Sequence, residues 1–107
     1  MKRIIAALLA SLSFSVAAAE VPQFEIVIKD HRFTPSEITI PANTKVKLLV
    51  KNQDGTPEEF ESHSLKREKI IAGNSEAVIL IGPLPPGEHT FVGEFNEATA
   101  IGKLIVK

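Results

Sequence analysis

The sequence predicts an all-β sandwich of about seven strands. Apolar residues alternate along most segments, the segments are short, and turn-forming residues interrupt the chain at short intervals. A closed barrel is the alternative that the same pattern allows.

Along the chain, the first element is a leader. Lys2 and Arg3 precede an uncharged apolar run from Ile4 to Val16, which ends at Ala17, Ala18 and Ala19 before Glu20. A charged start, a short apolar run and small residues at its end are the marks of a secretory signal peptide, with cleavage expected after Ala19. The run is shorter than the roughly 20 residues a membrane-spanning helix needs. Residues 20–107 are then expected to form one exported, periplasmic domain with no direct membrane span. Without Lys2 and Arg3, ten Lys and Arg face thirteen Asp and Glu.

In the first strand Phe24, Ile26 and Ile28 share a face; a second strand is read from Ser36 to Ile40. In the third, Val46, Leu48 and Val50 share a face opposite Lys45, Lys47 and Lys51. Four more follow at Lys69 to Ala72, Ala77 to Ile81, His89 to Phe95 and Gly102 to Val106. Turn signals separate them at Thr34-Pro35-Ser36, Pro41-Ala42-Asn43, Asp54-Gly55, Gly73-Asn74 and Pro85-Pro86-Gly87. No repeat, linker or low-complexity tract is present.

Composition excludes several functions. The chain is mildly acidic and its cations cluster only at Lys66, Arg67 and Lys69, so it lacks the basic surface that nucleic acid requires. It has no cysteine, which excludes disulfides and sulfur redox chemistry and leaves stability to one packed core. Serines and histidines occur without a positioned third partner, and so small a domain has little wall for a substrate pocket; the expectation is a non-enzyme.

The segment TPEEFESHSLKREK, residues 56–69, carries the candidate chemistry. If it is extended, Glu59, Glu61 and His63 project from one face, and two carboxylates with an imidazole could share a cation. The local alternative is a capping box, Thr56-x-x-Glu59 with Pro57 at the first helical position, which would scatter the three side chains. Glu68, between Arg67 and Lys69, reads by itself as a solvated charge mixture. His31, near a strand end, and His89, near a turn, read as surface histidines.

The run FTPSEITIPANTKVKLLVKNQD, residues 33–54, resembles the second and third strands of cupredoxins. With EEFES, REKII and GPLPPGEHTFVGEFNEATAIGKLIVK, the chain is similar to small cupredoxin-like domains associated with bacterial iron uptake: the EfeO-type domains and stand-alone periplasmic relatives. The resemblance implies a Greek-key β-sandwich. It places Glu59 to Glu61 where blue-copper proteins carry their first His ligand, and Glu94 to Glu97 in the loop that carries the others. Relatives often read Asp-Phe-His there; this chain has Glu94-Phe95-Asn96. It also implies that Glu68 is a ligand reaching toward Glu59 across the sandwich end. A type 1 (blue) copper centre is excluded, because it needs a thiolate and the only methionine is Met1, in the leader.

The expected function is therefore binding of an iron or copper ion by Glu59, Glu61, Glu68 and Glu94, with His63 as a nitrogen donor, in the service of a ferric or ferrous iron uptake system. The partners implied are a periplasmic iron-binding protein, a ferric-iron permease and a membrane-bound ferredoxin-like component. The alternative is a metal-free module whose charged cluster docks onto an iron-transport partner.

Overall fold

The alternating segments pair into two sheets. The computed structural model describes residues 20–107, and the expected leader, residues 1–19, lies outside them. The strands are β1 (Gln23–Lys29), β2 (Arg32–Thr34), β3 (Glu37–Ile40), β4 (Val46–Asn52), β5 (Glu58–Ser62), β6 (Arg67–Ile71), β7 (Ser75–Ile81), β8 (Gly87–Gly93) and β9 (Ile101–Val106), with a 3-10 turn at Glu94–Asn96. One sheet has the order β2-β1-β4-β7 and the other β3-β9-β8-β5-β6. Strands β1 and β4 run parallel, as do β3 and β9; all other pairs are antiparallel. Among the described residues no helix is long and apolar enough to cross a membrane.

The seven expected strands are all present, and two more join them. Strand β2 has only three residues, too few to show alternation. Strand β5 carries Glu58, Glu59 and Glu61, and a strand so rich in acid has no apolar stripe to reveal it. The extended form of this segment is the one present, and its local alternative, a capping-box helix at Thr56 to Glu59, does not form. Phe60 is fully buried and segment 58–62 is paired on both sides, to β6 and β8, so tertiary pairing overrides the local helix signal. The strand expected to run from His89 to Phe95 ends at Gly93, and Phe95 enters the 3-10 turn.

Inward positions fill the core: Ile26 and Ile28 from β1, Val46, Leu48 and Val50 from β4, Ile79 and Ile81 from β7, Leu104 and Val106 from β9. At its centre Phe60 stacks on Phe91 with ring centroids 5.0 Å apart, and Phe33 meets Phe91 edge-on at 4.9 Å. Gly102 makes room for this: a Cβ there would lie 2.2 Å from the Phe91 ring. Where β6 and β7 flank the open side of the sandwich, Arg67 Nε donates to the carbonyl of Leu80 and ties the two sheet edges together.

One end of the sandwich collects the β1–β2, β4–β5, β6–β7 and β8–β9 connections, and polar side chains hold it closed. Asp30 and His31 form a two-residue hairpin turn, both with positive φ (52° and 56°). The Asp54 carboxylate accepts their backbone N–H groups at 2.8 and 3.0 Å. Asn52, in phase with the buried residues of β4, donates to the carbonyls of Thr56, Ile71 and Ala72 and accepts from Asp54 N–H. Among the described residues no buried side-chain polar atom lacks a partner.

Candidate metal centre

The candidate site lies on the outer face of the five-stranded sheet. Because β5 is extended, Glu59 and Glu61 project from that face while Phe60 points into the core. Antiparallel pairing then sets Glu68 of β6 directly opposite Glu61, and Ile70 opposite Glu59. On the other side, Val92 of β8 pairs with Glu61, and two residues on, Glu94 returns to the same face beside Glu59. Carboxylate oxygens of Glu59, Glu68 and Glu94 come within 4.8 Å of one another.

Three acids at this spacing repel when all are ionised, and that repulsion is one cause of the raised proton affinity of Glu59. Desolvation, then a hydrogen bond and charge repulsion from Glu94, raise the Glu59 carboxyl above its ordinary value of 4.5. A hydrogen bond to Glu94, followed by desolvation and the Glu94 charge, pushes Glu61 up to about 6. Glu61 is only 8% exposed although it faces outward, because its neighbours cover it.

The five residues expected from sequence thus take three different places. Glu59, Glu68 and Glu94 form the three-oxygen cluster. Glu61 borders it through Glu94. His63 lies beyond the end of β5 with its side chain 95% exposed, Nε2 3.4 Å from Glu61 Oε1 and outside the cluster. Glu68 does not reach across the sandwich end as expected; it sits on the strand next to β5, so the cluster belongs to a sheet face. Of the other histidines, His31 is exposed in the hairpin turn and His89 is half-buried, its Nδ1 2.8 Å from Ser64 Oγ.

Glu58 escaped the sequence reading and is the most informative acid in the chain. It is 1% exposed and accepts hydrogen bonds from Phe95 N–H at 2.9 Å, Asn96 Nδ2 at 2.7 Å and its neighbour Glu59 N–H at 3.0 Å. Its signal was its phase: it shares the inward face of Phe60 rather than the outward face of Glu59 and Glu61. Asn96, at the position where the resemblance puts an imidazole, commits its amide to Glu58. The loop end is therefore closed by hydrogen bonds, and Glu58 fixes the 3-10 turn that presents Glu94 to Glu59.

These proton affinities carry a sign. Carboxyls raised in the folded state bind more protons there than when unfolded, so their contribution is fully present below 4.5 and is lost as pH rises through about 6. Asp54 works oppositely: the N–H of His31, helped by that of Asp30, holds it below 3.8, and its contribution is lost on acidification beneath that range. The melting temperature of the metal-free domain should therefore peak near pH 4 to 5 and fall toward pH 7. A thermal-unfolding series in chelator-treated buffers checks this, and a melting temperature that rises from pH 5 to 7 would refute it.

Two antiparallel-rich sheets packed face to face, with oxygen donors on one outer face and no thiol, define a cupredoxin-type sandwich without a blue-copper ligand set. A model of the cupredoxin-like domain matches residues 2–106, and the chain belongs to that family. It is 44% identical over 84 residues to an uncharacterized protein of Rickettsia prowazekii, covering 78% of this chain and 67% of that one. Among solved structures it is similar to the metal-binding domain of the Cu(I)-exporting P-type ATPase CopA of Streptococcus pneumoniae (TM-score 0.68, 16% identity, 79% of this chain and 84% of that one). It is also similar to auracyanin A, a blue copper protein of Chloroflexus aurantiacus (TM-score 0.67, 15% identity, 82% of this chain and all of that one). At such identities the likeness is one of fold.

Proposed function

We propose that this chain is an exported, periplasmic, non-enzymatic cupredoxin-like protein that binds an iron or copper ion through Glu59, Glu68 and Glu94 on behalf of an iron uptake system. The observation that carries the reading is the convergence within 4.8 Å of three carboxylates, from β5, from β6 and from the 3-10 turn that follows β8. Their oxygens are hard donors, suited to Fe(III), Cu(II) or Mn(II) and not to the Cu(I) that seeks sulfur. The partners fitting this role are a periplasmic iron-binding protein and iron permease components. A second reading, a metal-free docking module, is favoured by Ile70 and Phe95, which stand 61% and 50% exposed beside the acids.

Calorimetric titration of residues 20–107 with Cu(II) and with Fe(III) held soluble by a weak chelator tests the proposal. One saturable site is the expected result for at least one metal, and the copper-loaded protein should be nearly colourless, because the intense band of blue copper needs a thiolate. Flat traces with both metals would end the metal reading. Salt-sensitive binding to an iron-uptake partner alongside flat traces would establish the docking one.

A further inference from the structure

The outer faces of the two sheets carry opposite charge. On the four-stranded sheet, alternation turns Lys29, Arg32, Lys47 and Lys51 outward, with Glu25 and Glu76 as the acids in that phase. Lys51 pairs with Glu25 at 3.3 Å, and among the described residues Lys29, Arg32 and Lys47 form no ion pair. On the same face Val78 and Leu80 of β7 stand 49% and 43% exposed, with Leu49 of β4 directly opposite Val78. On the five-stranded sheet Glu37, Glu59, Glu61, Glu68 and Glu88 face outward, and Glu94 joins them. Lys103 is in the same phase and pairs with Glu88 at 3.5 Å; among the described residues the remaining acids have no lysine or arginine partner. Arg67 and Lys69 of β6 alternate to the opposite phase, and Arg67 is turned to the Leu80 carbonyl. This face too has an aliphatic patch, exposed Ile101 directly across from half-buried Val92.

We propose that copies of this domain associate face to face, the basic face of one seated on the acidic face of the next. Each face supplies what the other lacks: unpaired cations around an aliphatic patch on one, unpaired carboxylates around an aliphatic patch on the other. The two lie on opposite sides of one sandwich, so the contact uses a different surface on each copy and can repeat from copy to copy. Charges of one sign gathered on a face repel one another, and a neighbour's opposite charges offset that repulsion. The exposed aliphatics add apolar burial that a purely ionic contact would lack. Pairing of like faces is disfavoured, because it sets cations against cations or acids against acids. An anionic lipid surface would engage the basic face and leave the acidic one unanswered.

Sedimentation equilibrium of residues 20–107 tests this. Because the contact rests on charge and not on coordination, chelator-treated buffer separates it from the metal reading. At about 0.01 M salt, where the Debye length is about 30 Å, the average mass should climb with concentration beyond that of a dimer; at about 1 M, where that length is about 3 Å, it should return to the monomer's. Lys47→Glu spoils the basic face and Glu68→Lys the acidic one, so each variant alone should associate about tenfold or more weakly than the parent. Mixed in equal amounts, the two should form one-to-one pairs and go no further, since the intact acidic face of the first meets the intact basic face of the second. Lys29→Glu and Glu37→Lys repeat the design if either variant melts below the parent. A parent that is monomeric at low salt, or a mixture that associates no better than its separate variants, overturns the inference. A monomeric parent that co-sediments with phosphatidylglycerol vesicles but not with phosphatidylcholine ones also overturns it, and assigns the basic face to an anionic lipid surface.

Discussion

Glu58→Ala should destabilise the domain by about 2–4 kcal/mol, since it removes a fully buried side chain and strips the acceptors from partly buried donors at Phe95 and Asn96, an orphaned group costing about 1–3 kcal/mol. For a domain of this size that is a fall of roughly 10–25 °C in melting temperature. Glu58→Gln should cost much less. Its carbonyl oxygen can still accept from Phe95 N–H, and Asn96 can turn its amide to present oxygen to the new –NH₂ group. Gly93→Ala should mimic the larger effect, because a Cβ there would stand 2.6 Å from Glu58 Cδ and 2.7 Å from Ala100 Cβ. Thermal unfolding of the three variants in chelator-treated buffer measures this. Equal losses for Glu58→Ala and Glu58→Gln would mean that hydrogen bonding to the loop is not what Glu58 contributes. Because Glu58 holds the turn that carries Glu94, Glu58→Ala should also weaken metal binding without removing a ligand.

Glu59→Gln and Glu94→Gln should each abolish the thermal stabilisation that metal confers. At a metal concentration about 100-fold above Kd, mass action raises the melting temperature of a small domain by roughly 10–20 °C, and losing one of three donors removes most of that rise. Without metal, the same variants should melt at or above the parent's temperature, because each deletes a charge from a self-repelling cluster. The opposite signs with and without metal separate a ligand from a merely structural acid. Glu76→Gln, an exposed acid on β7 of the other sheet, is the control and should change neither. The metal-dependent rise should also grow from pH 5 to 7, as protons held by Glu59 and Glu61 no longer compete. A metal-induced shift that survives in both Gln variants would move the site elsewhere on the molecule.

Much of this architecture was legible in the chain. Alternation in Phe24-Ile26-Ile28 and Val46-Leu48-Val50 fixes which face of each strand enters the core, because side chains in a strand repeat every two residues. The same period put Glu59 and Glu61 on one face once the segment was extended, and the lack of cysteine ruled out blue copper without any coordinates. The sandwich class followed from short strands and frequent turns. Glu68 and Glu94 were named through the family resemblance; residue types alone gave no reason to join them to Glu59.

What only the tertiary structure decided is which strands lie side by side. Strands β6 and β8 flank β5, and that pairing brings together acids far apart in sequence; alternation says which way a side chain points but carries no information about its neighbour across the sheet. The same ladder turned the Thr56 to Glu59 helix signal into a strand, because a paired, fully buried Phe60 outweighs a local cap. It also moved the candidate site from the loop end to the sheet face. The loop end closed on Glu58, whose burial depends on three donors brought from residues 59, 95 and 96, two of them almost forty positions away. Composition and spacing describe a residue's own backbone; partners that distant are chosen by the fold.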